Sequence, residues 1–350
     1  MHHKENTSKV KNLLNIVGTP FNDSNFENLE NSNFKELYHL AFKNKIELLF
    51  LESLEKNGLI GDLKGELDNQ RQRMKLQRKT WGRVIDVLNE TKCKYAVIKS
   101  IFPFSAVPND IDIIMLGNDD EYYHSIEFLK KNQFKILGEA KLEINLIDTT
   151  TTNLKNYYAV NEIDLYKEVG ASRLIYMNKK KLANYIQENE INGRKVGALK
   201  PYAEMAVSSF HTIYPERMYT LLIHLFILDT IKKMNLSNID ELIRLCKEQS
   251  INNGILNTLR VTETVQEKVF GEIPKELSYL RNQFGKKKNI ELNDLPYIYP
   301  MKILLNSLWG KRKERTFVIS AFRQAVAMLN PRTTNFVIKI HKERASRDTY

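Results

Sequence analysis

Cysteine is nearly absent from these 350 residues: Cys93 and Cys246 are the only two, far apart and without a patterned neighbour. Such a pair forms neither a disulfide framework nor a cysteine-based zinc site. Both are expected as free thiols in a reducing, cytoplasmic compartment. Long apolar runs are missing too. The richest stretch, Thr220 to Ile231, is interrupted by His224 and Asp229. It falls short of the about 20 apolar residues a membrane span needs, so no membrane partner is expected. The opening Met1-His2-His3-Lys4-Glu5-Asn6 has no apolar segment of the kind a secretory leader carries. No Gly-x-Gly-x-x-Gly and no Walker-type phosphate loop occurs, and no Ser/His/Asp or Cys/His set can be assembled. Dinucleotide binding, P-loop chemistry and acyl-transfer catalysis are therefore not the first readings.

What is present is an ordinary apolar share of 42% and a net charge of +11. The length suits two to three domains. The charge is unevenly placed. Between Arg281 and Tyr350 stand fifteen Lys and Arg against five Asp and Glu, an excess of ten. A basic tail of this kind points to a polyanion such as nucleic acid, the alternative being a solvated basic surface.

Periodicity divides the chain. Leu37, Leu40, Ala41, Ile46, Leu48, Leu49, Leu51 and Leu54 recur at helical spacing, with a possible interruption at Lys43-Asn44-Lys45. A long helix with a basic middle is expected from about Leu63 to Leu88. From Lys92 the pattern becomes mixed. Strands are predicted at Tyr95–Ile98, Ile111–Leu116, Phe134–Leu137, Leu142–Ile147, Tyr157–Val160 and Ile163–Tyr166, with a helix over Asp119–Asn132. After Asn178 helices are expected to dominate, apart from an extended stretch at Lys195–Leu199 behind an Asn192-Gly193 turn. Arg217 to Met234, apolar almost all round, reads as a core helix. The expected division is a helical N-terminal region (1–91), an α/β core (92–177), a helical domain (178–280) and a basic helical tail (281–350).

The most informative segment is Asp110-Ile111-Asp112-Ile113-Ile114, ten residues beyond Lys99-Ser100. Residues two apart in a strand share a face. Asp110 and Asp112 therefore project together while the isoleucines enter the core. Adjacent carboxylates repel unless a cation lies between them. A pair on one strand, answered by a third acid on a neighbour, suits two Mg²⁺ ions, with Mn²⁺ as a substitute, engaged in phosphoryl transfer. The third acid is sought in Asn161-Glu162-Ile163-Asp164-Leu165-Tyr166. Asp164 is preferred and Glu162, on the same face, is the substitute. It would help bind metal and could accept a proton. The competing readings are a structural cation site or a polar strand end.

The helical Phe34-Lys35-Glu36-Leu37-Tyr38-His39-Leu40-Ala41, the run Ile46-Glu47-Leu48-Leu49, the long helix, Lys99-Ser100, the Asp-Ile-Asp strand and Asp164 follow one another in an order that resembles the uncharacterised nucleotidyltransferase-like family of the DNA polymerase β superfamily. The resemblance spans about Phe34 to Met234. It implies an α+β fold: a polymerase-β-like core of mixed sheet and helices, flanked by helical regions at both ends. It implies Asp110, Asp112 and Asp164 as catalytic metal ligands, with Lys99 and Ser100 at the nucleotide phosphates. Two departures stand out. Ser100 occupies a position where the family has glycine, and Phe104-Ser105-Ala106-Val107-Pro108-Asn109 lacks the arginine often found before the paired acids.

The expected activity is metal-dependent transfer of a nucleotidyl group from an NTP, ATP included, to an acceptor hydroxyl, with release of pyrophosphate. RNA, tRNA among the candidates, is the expected acceptor on account of the tail. Its Lys286, Lys287, Lys288, Lys311, Arg312, Lys313 and Arg315 are expected at the phosphate backbone, beside Tyr297, Tyr299 and Trp309. Phe317 and Phe322, at helical spacing, are expected to be buried. Two alternatives remain open: a protein or small-molecule acceptor, as in toxin–antitoxin and antibiotic-modifying relatives, and an inactive nucleic-acid-binding protein. Among single residues, His211 is read as structural before functional, His224 as a core histidine, and Arg217 as a possible phosphate contact.

Overall fold

A computed structural model describes residues 2–27, 33–151, 162–191, 193–288, 290–292, 294–331 and 334–335, with side chains described from Ser8 onward. The predicted strand at 157–160 and Asn192 of the predicted turn lie outside these residues. Four helices come first: α1 (His2–Val17), α2 (Phe34–Lys43), α3 (Glu47–Lys56) and α4 (Lys64–Thr91). The alternating region gives β1 (Tyr95–Ile98), β2 (Asp110–Met115), α5 (Asp119–Lys131), β3 (Phe134–Glu139), β4 (Glu143–Asp148), β5 (Glu162–Tyr166), β6 (Val169–Ala171) and β7 (Leu174–Met177). Then follow α6 (Lys179–Leu182), β8 (Ile186–Ile191), β9 (Arg194–Leu199), α7 (Pro201–Ile213), β10 (Met218–Tyr219), α8 (Leu221–Lys233), α9 (Leu236–Glu248), α10 (Asn252–Phe270), α11 (Lys275–Phe284), β11 (Tyr297–Ile298), α12 (Met301–Gly310) and α13 (Arg315–Ala327). The architecture is α+β.

Seven strands form one mixed sheet in the order β3-β4-β5-β2-β1-β9-β8. β2 runs parallel to β5, and β1 parallel to β9, while the other neighbours are antiparallel. The sheet therefore continues past residue 177 and takes in β8, a strand in a stretch expected to be helical. Alternation sorts its two faces. Val97, Ile111, Ile113, Ile163 and Leu165 pack with Trp81, Val84 and Leu88 of α4 and with Tyr122, Ile126 and Leu129 of α5. Ala96, Ile98 and Ile114 turn the other way, into the larger core built with α7, α8 and the N-terminal helices. Burying these apolar side chains is the main term holding the sheet between its layers.

Sequence chemistry explains most element boundaries. Asn118 caps α5 by accepting a hydrogen bond from the Glu121 amide at 2.9 Å, while the Glu121 side chain accepts from the Asn118 amide at 3.0 Å, a reciprocal box. Asn235 caps α9 in the same way. Pro201 starts α7 at the position where its missing N–H costs nothing. The predicted core helix begins at Leu221, because Met218 and Tyr219 pair with β11 first.

Three basic residues in the middle of α4, Arg71, Arg73 and Arg83, are ion-paired. Arg71 meets Glu55 at 2.5 Å and Arg83 meets Asp148 at 3.3 Å. Among the described residues no helix is long and apolar enough to cross a membrane.

Candidate metal centre

β2 and β5 are in register, Asp110 opposite Glu162 and Asp112 opposite Asp164. Because the strands are parallel and adjacent, side chains at paired positions point to one face. Asp110, Asp112 and Asp164 thereby converge: each offers a carboxylate oxygen, and these oxygens lie within 4.8 Å of one another. Glu162 stands outside this set. The three acids line a cavity of about 270 Å³ shared with Lys45, Lys99, Glu143 and His211.

Each acid is held by local chemistry. β1 delivers Lys99 and Ser100 beside β2, with Ile98 paired to Asp112. The Ser100 hydroxyl accepts the Asp112 amide at 2.9 Å and donates to the Ile98 carbonyl at 3.0 Å. Ser100 thus fixes the backbone under Asp112. The left-handed turn falls on Lys99, at φ +55°, a conformation uncommon for a residue with a side chain. Its amide donates to the buried Glu204 carboxylate at 2.5 Å, and its ammonium lies 2.7 Å from Asp112 Oδ1. Asp164 accepts from Asn145 Nδ2 at 2.5 Å and from the Tyr166 hydroxyl at 3.3 Å. The Tyr166 ring also faces the Lys99 ammonium, 4.8 Å from its centroid.

The electrostatics are those of an acid-rich pocket. Burial raises the Asp110 carboxyl, and the charge of Asp112 adds to this. Burial likewise raises Asp164, with Asp110 and Asp112 contributing. For Lys99, burial alone would lower the ammonium, but the charge of Asp112, with Tyr176 and Asp110, outweighs it and leaves Lys99 above its ordinary value. Asp112 Oδ1 is buried and, apart from that ammonium, meets no hydrogen-bond donor. A buried carboxylate oxygen met only by one ammonium, among acids that resist ionisation, fits a divalent cation, which takes oxygen ligands and relieves the repulsion.

The remaining expected residues fall in several places. His211 lines the same cavity, its Nδ1 2.8 Å from the Tyr176 hydroxyl and its Nε2 3.5 Å from Glu216. Burial, with the charge of Lys99, lowers it to about 4, so it is neutral near pH 7. His224 is fully buried between Tyr219 and Gln266, a core histidine as expected. Arg217 does not reach the cavity: its guanidinium donates to the Tyr299 carbonyl at 3.3 Å. Sequence reasoning passed over Asn145 and Glu143. The signal was available, since Glu143-Ile144-Asn145-Leu146 has the same period of two as the Asp-Ile-Asp strand.

In the tail, Lys286, Lys287, Lys288, Arg312, Lys313 and Arg315 are exposed. Lys287 is paired with Glu267 at 2.9 Å, and the Arg312 guanidinium sits 5.2 Å from the Trp309 ring centroid. Two expectations are corrected. Lys311 is buried and donates to the Gln249 carbonyl, so it anchors the tail to the end of α9 and is not at the surface. Phe322 is 70% exposed, because α13 packs through Ser320 against β7 and through Gln324 against the Ser172-Arg173 turn before it, leaving Phe322 on its outer side. Phe317 is half-buried, while Tyr297 and Tyr299 are buried. Met301, Leu305 and Trp309 on α12, and Val318, Phe322 and Val326 on α13, form exposed apolar rows at four-residue spacing.

No family model matches the chain, and no curated protein matches it. Among solved structures, that of the antibiotic-resistance factor ANT(2'')-Ia, a solution structure described as revealing substrate-regulated conformation dynamics, matches 49% of this chain and 92% of its own. The two are 10% identical, with a TM-score of 0.34. A likeness this slight carries no weight for fold or function, and the site stands on its own residues.

Proposed function

We propose that the chain is a metal-dependent nucleotidyltransferase that transfers a nucleotidyl group from an NTP to an acceptor hydroxyl, with RNA as the acceptor. The observation that carries this reading is the convergence of Asp110, Asp112 and Asp164 on one sheet face, oxygens within 4.8 Å, beside Lys99. The three acids would hold the ions, Mg²⁺ with Mn²⁺ as a substitute. When bound, such ions supply positive charge to the attacking and leaving oxygens of an in-line displacement.

The chain's own groups account for the rest. In the transfer the acceptor oxygen bonds to the α-phosphorus of the NTP. The bond from that phosphorus to the bridging oxygen breaks, pyrophosphate leaves, and the hydroxyl proton passes to Asp164. Asn145 and Tyr166 orient that carboxylate. Lys45 and Lys99, the latter paired with Asp112 until metal takes up that carboxylate, would supply two cations to the phosphates, and Ser100 keeps Asp112 at its station. His211, neutral near pH 7, adds hydrogen-bonding capacity without charge.

The RNA acceptor is supported by the exposed Arg312, set against the Trp309 ring, and by the exposed Lys313 and Arg315 that follow it in the chain. The test is incubation of labelled NTPs with Mg²⁺ and RNA, with Asp112→Ala as control. A longer labelled RNA, absent with the variant, is the expected result. An active Asp112→Ala chain would sink the mechanism. Label that survives RNase on a protein would transfer the reading to a protein acceptor.

A further inference from the structure

A second cavity, about 580 Å³, shares only Phe102 with the one the acids line. Its size is that of a small-molecule site. Phe102 and Phe226 meet edge to face at 5.7 Å and, with Tyr202, give it an aromatic floor. The Tyr202 hydroxyl is held by Glu241. The rim carries two lysines, and both are committed: Lys233 to Asp229 at 2.7 Å and Lys200 to Glu241 at 3.5 Å. A phosphate would find no uncommitted cation there. A cationic ligand would compete with lysines already in place.

The edge strand β8 contributes the specific element. Its Glu188 and Glu190 face solvent, while Gln187 and Asn189 are half-buried and line the cavity. Gln187 Nε2 donates to Asn189 Oδ1 at 3.0 Å. That bond fixes the pair and leaves Gln187 Oε1 as an acceptor and Asn189 Nδ2 as a donor. Neither atom has a protein partner among the described residues. An amide acceptor and an amide donor in a cavity also lined by aromatic rings match the edge and face of a heterocyclic base.

We propose that this cavity is a subsite for an uncharged nucleobase or nucleoside. It rests on the nucleotidyltransferase reading only for which substrate supplies the base, the donor nucleotide or the acceptor end. Glu204 also lines it and accepts the Lys99 amide, so one buried carboxylate lies between this cavity and the turn beside Asp112.

The test is titration calorimetry of the full chain with adenosine, guanosine, cytidine and uridine, and with inorganic pyrophosphate as anion probe. Wild type is compared with Asp112→Ala, Asn189→Ala, Gln187→Ala and Lys233→Ala, each checked for folding by circular dichroism. At least one nucleoside should bind wild type and Asp112→Ala alike. Asn189→Ala and Gln187→Ala should each weaken it roughly tenfold, the size expected for a lost buried hydrogen bond, and leave pyrophosphate binding unchanged. Titration of the NTPs then identifies the source: weakening by Asn189→Ala assigns the base to the donor, and unchanged NTP binding assigns it to the acceptor.

Absence of nucleoside binding would overturn the proposal. So would binding that is lost in Asp112→Ala but kept in Asn189→Ala, or pyrophosphate binding that depends on Lys233. An inactive wild type that still binds nucleoside through Asn189 would sink the transfer reaction and leave the subsite standing.

Discussion

Replacing Asp110 by Asn should make the metal-free protein more stable and at the same time abolish its response to Mg²⁺. Asp110, Asp112 and Asp164 bring carboxylate oxygens within 4.8 Å, against one ammonium in direct contact. Two unit charges at that separation repel by about 3.5 kcal/mol at an effective dielectric of about 20. Protonation of one acid and the Lys99 charge relieve part of this, so about 1–3 kcal/mol should be recovered by Asp110→Asn. For a chain of 350 residues melting as one unit, that is a rise of roughly 1–4 °C in Tm.

The assay is thermal melting in EDTA and in millimolar Mg²⁺ or Mn²⁺. Wild type should melt below the variant in EDTA and above it with metal. A cation at 100 times its Kd adds about 2.7 kcal/mol to the form that binds it. The pH dependence has a definite sign. Asp110 and Asp164 are raised in the folded state. Their contribution is therefore full below the ordinary carboxylate range and is lost as pH rises through the raised values. In EDTA the wild type should lose stability from about pH 4 toward neutrality more steeply than Asp110→Asn. A variant that melts lower than wild type in EDTA, or gains as much from Mg²⁺, refutes the reasoning.

Three further outcomes follow from the same geometry. Ser100→Ala leaves the buried Asp112 amide without its acceptor and should cost about 1–3 kcal/mol in urea denaturation; a cost near zero would show that the hydroxyl does not fix the strand. Burial raises Glu204 to about 7, so its contribution is lost as pH climbs through that value. Glu204→Gln should match wild type near pH 5 and exceed it by about 2–3 kcal/mol at most above pH 8, and a uniform loss at both pH values would contradict this. Charge removal at Arg312, Lys313 and Arg315 together should reduce the salt slope of RNA binding by about 2, whereas Lys311→Met should lower thermal stability and leave the slope unchanged; equal slopes for both variants would remove the tail from the interface.

Much of the site was legible in the sequence, because a period of two is a local property. Asp110 and Asp112 flanked by isoleucines specify both a strand and a shared face. Asp164 over Glu162 was not decided by that rule, since both lie on the same face of β5. Register does not separate them either, since Glu162 stands opposite Asp110 and Asp164 opposite Asp112; only the side-chain placement across the strands does, bringing an Asp164 oxygen close to both other acids. β8 escaped because Gln187-Glu188-Asn189-Glu190 is an edge segment with no apolar alternation. Its signal was polar alternation, two amides inward and two acids outward, which hydrophobic patterning does not see. Lys311 escaped because its neighbours Arg312 and Lys313 are exposed, and a charge count treats all three alike. Phe322 was misplaced because helical spacing of aromatics says that one face is apolar but not whether another element covers it.

The apolar rows of α12 and α13 run beside a run of cations, and the two surfaces answer differently to electrolytes. Chloride screens the cations over a distance that shrinks to about 3 Å at 1 M. Sulfate and phosphate strengthen contact between apolar side chains. Raising ionic strength with one salt therefore releases a polyanion and leaves the protein dispersed, while raising it with the other drives the exposed rows of separate molecules together. A binding curve measured in sulfate mixes release with self-association, and in chloride it reads release alone.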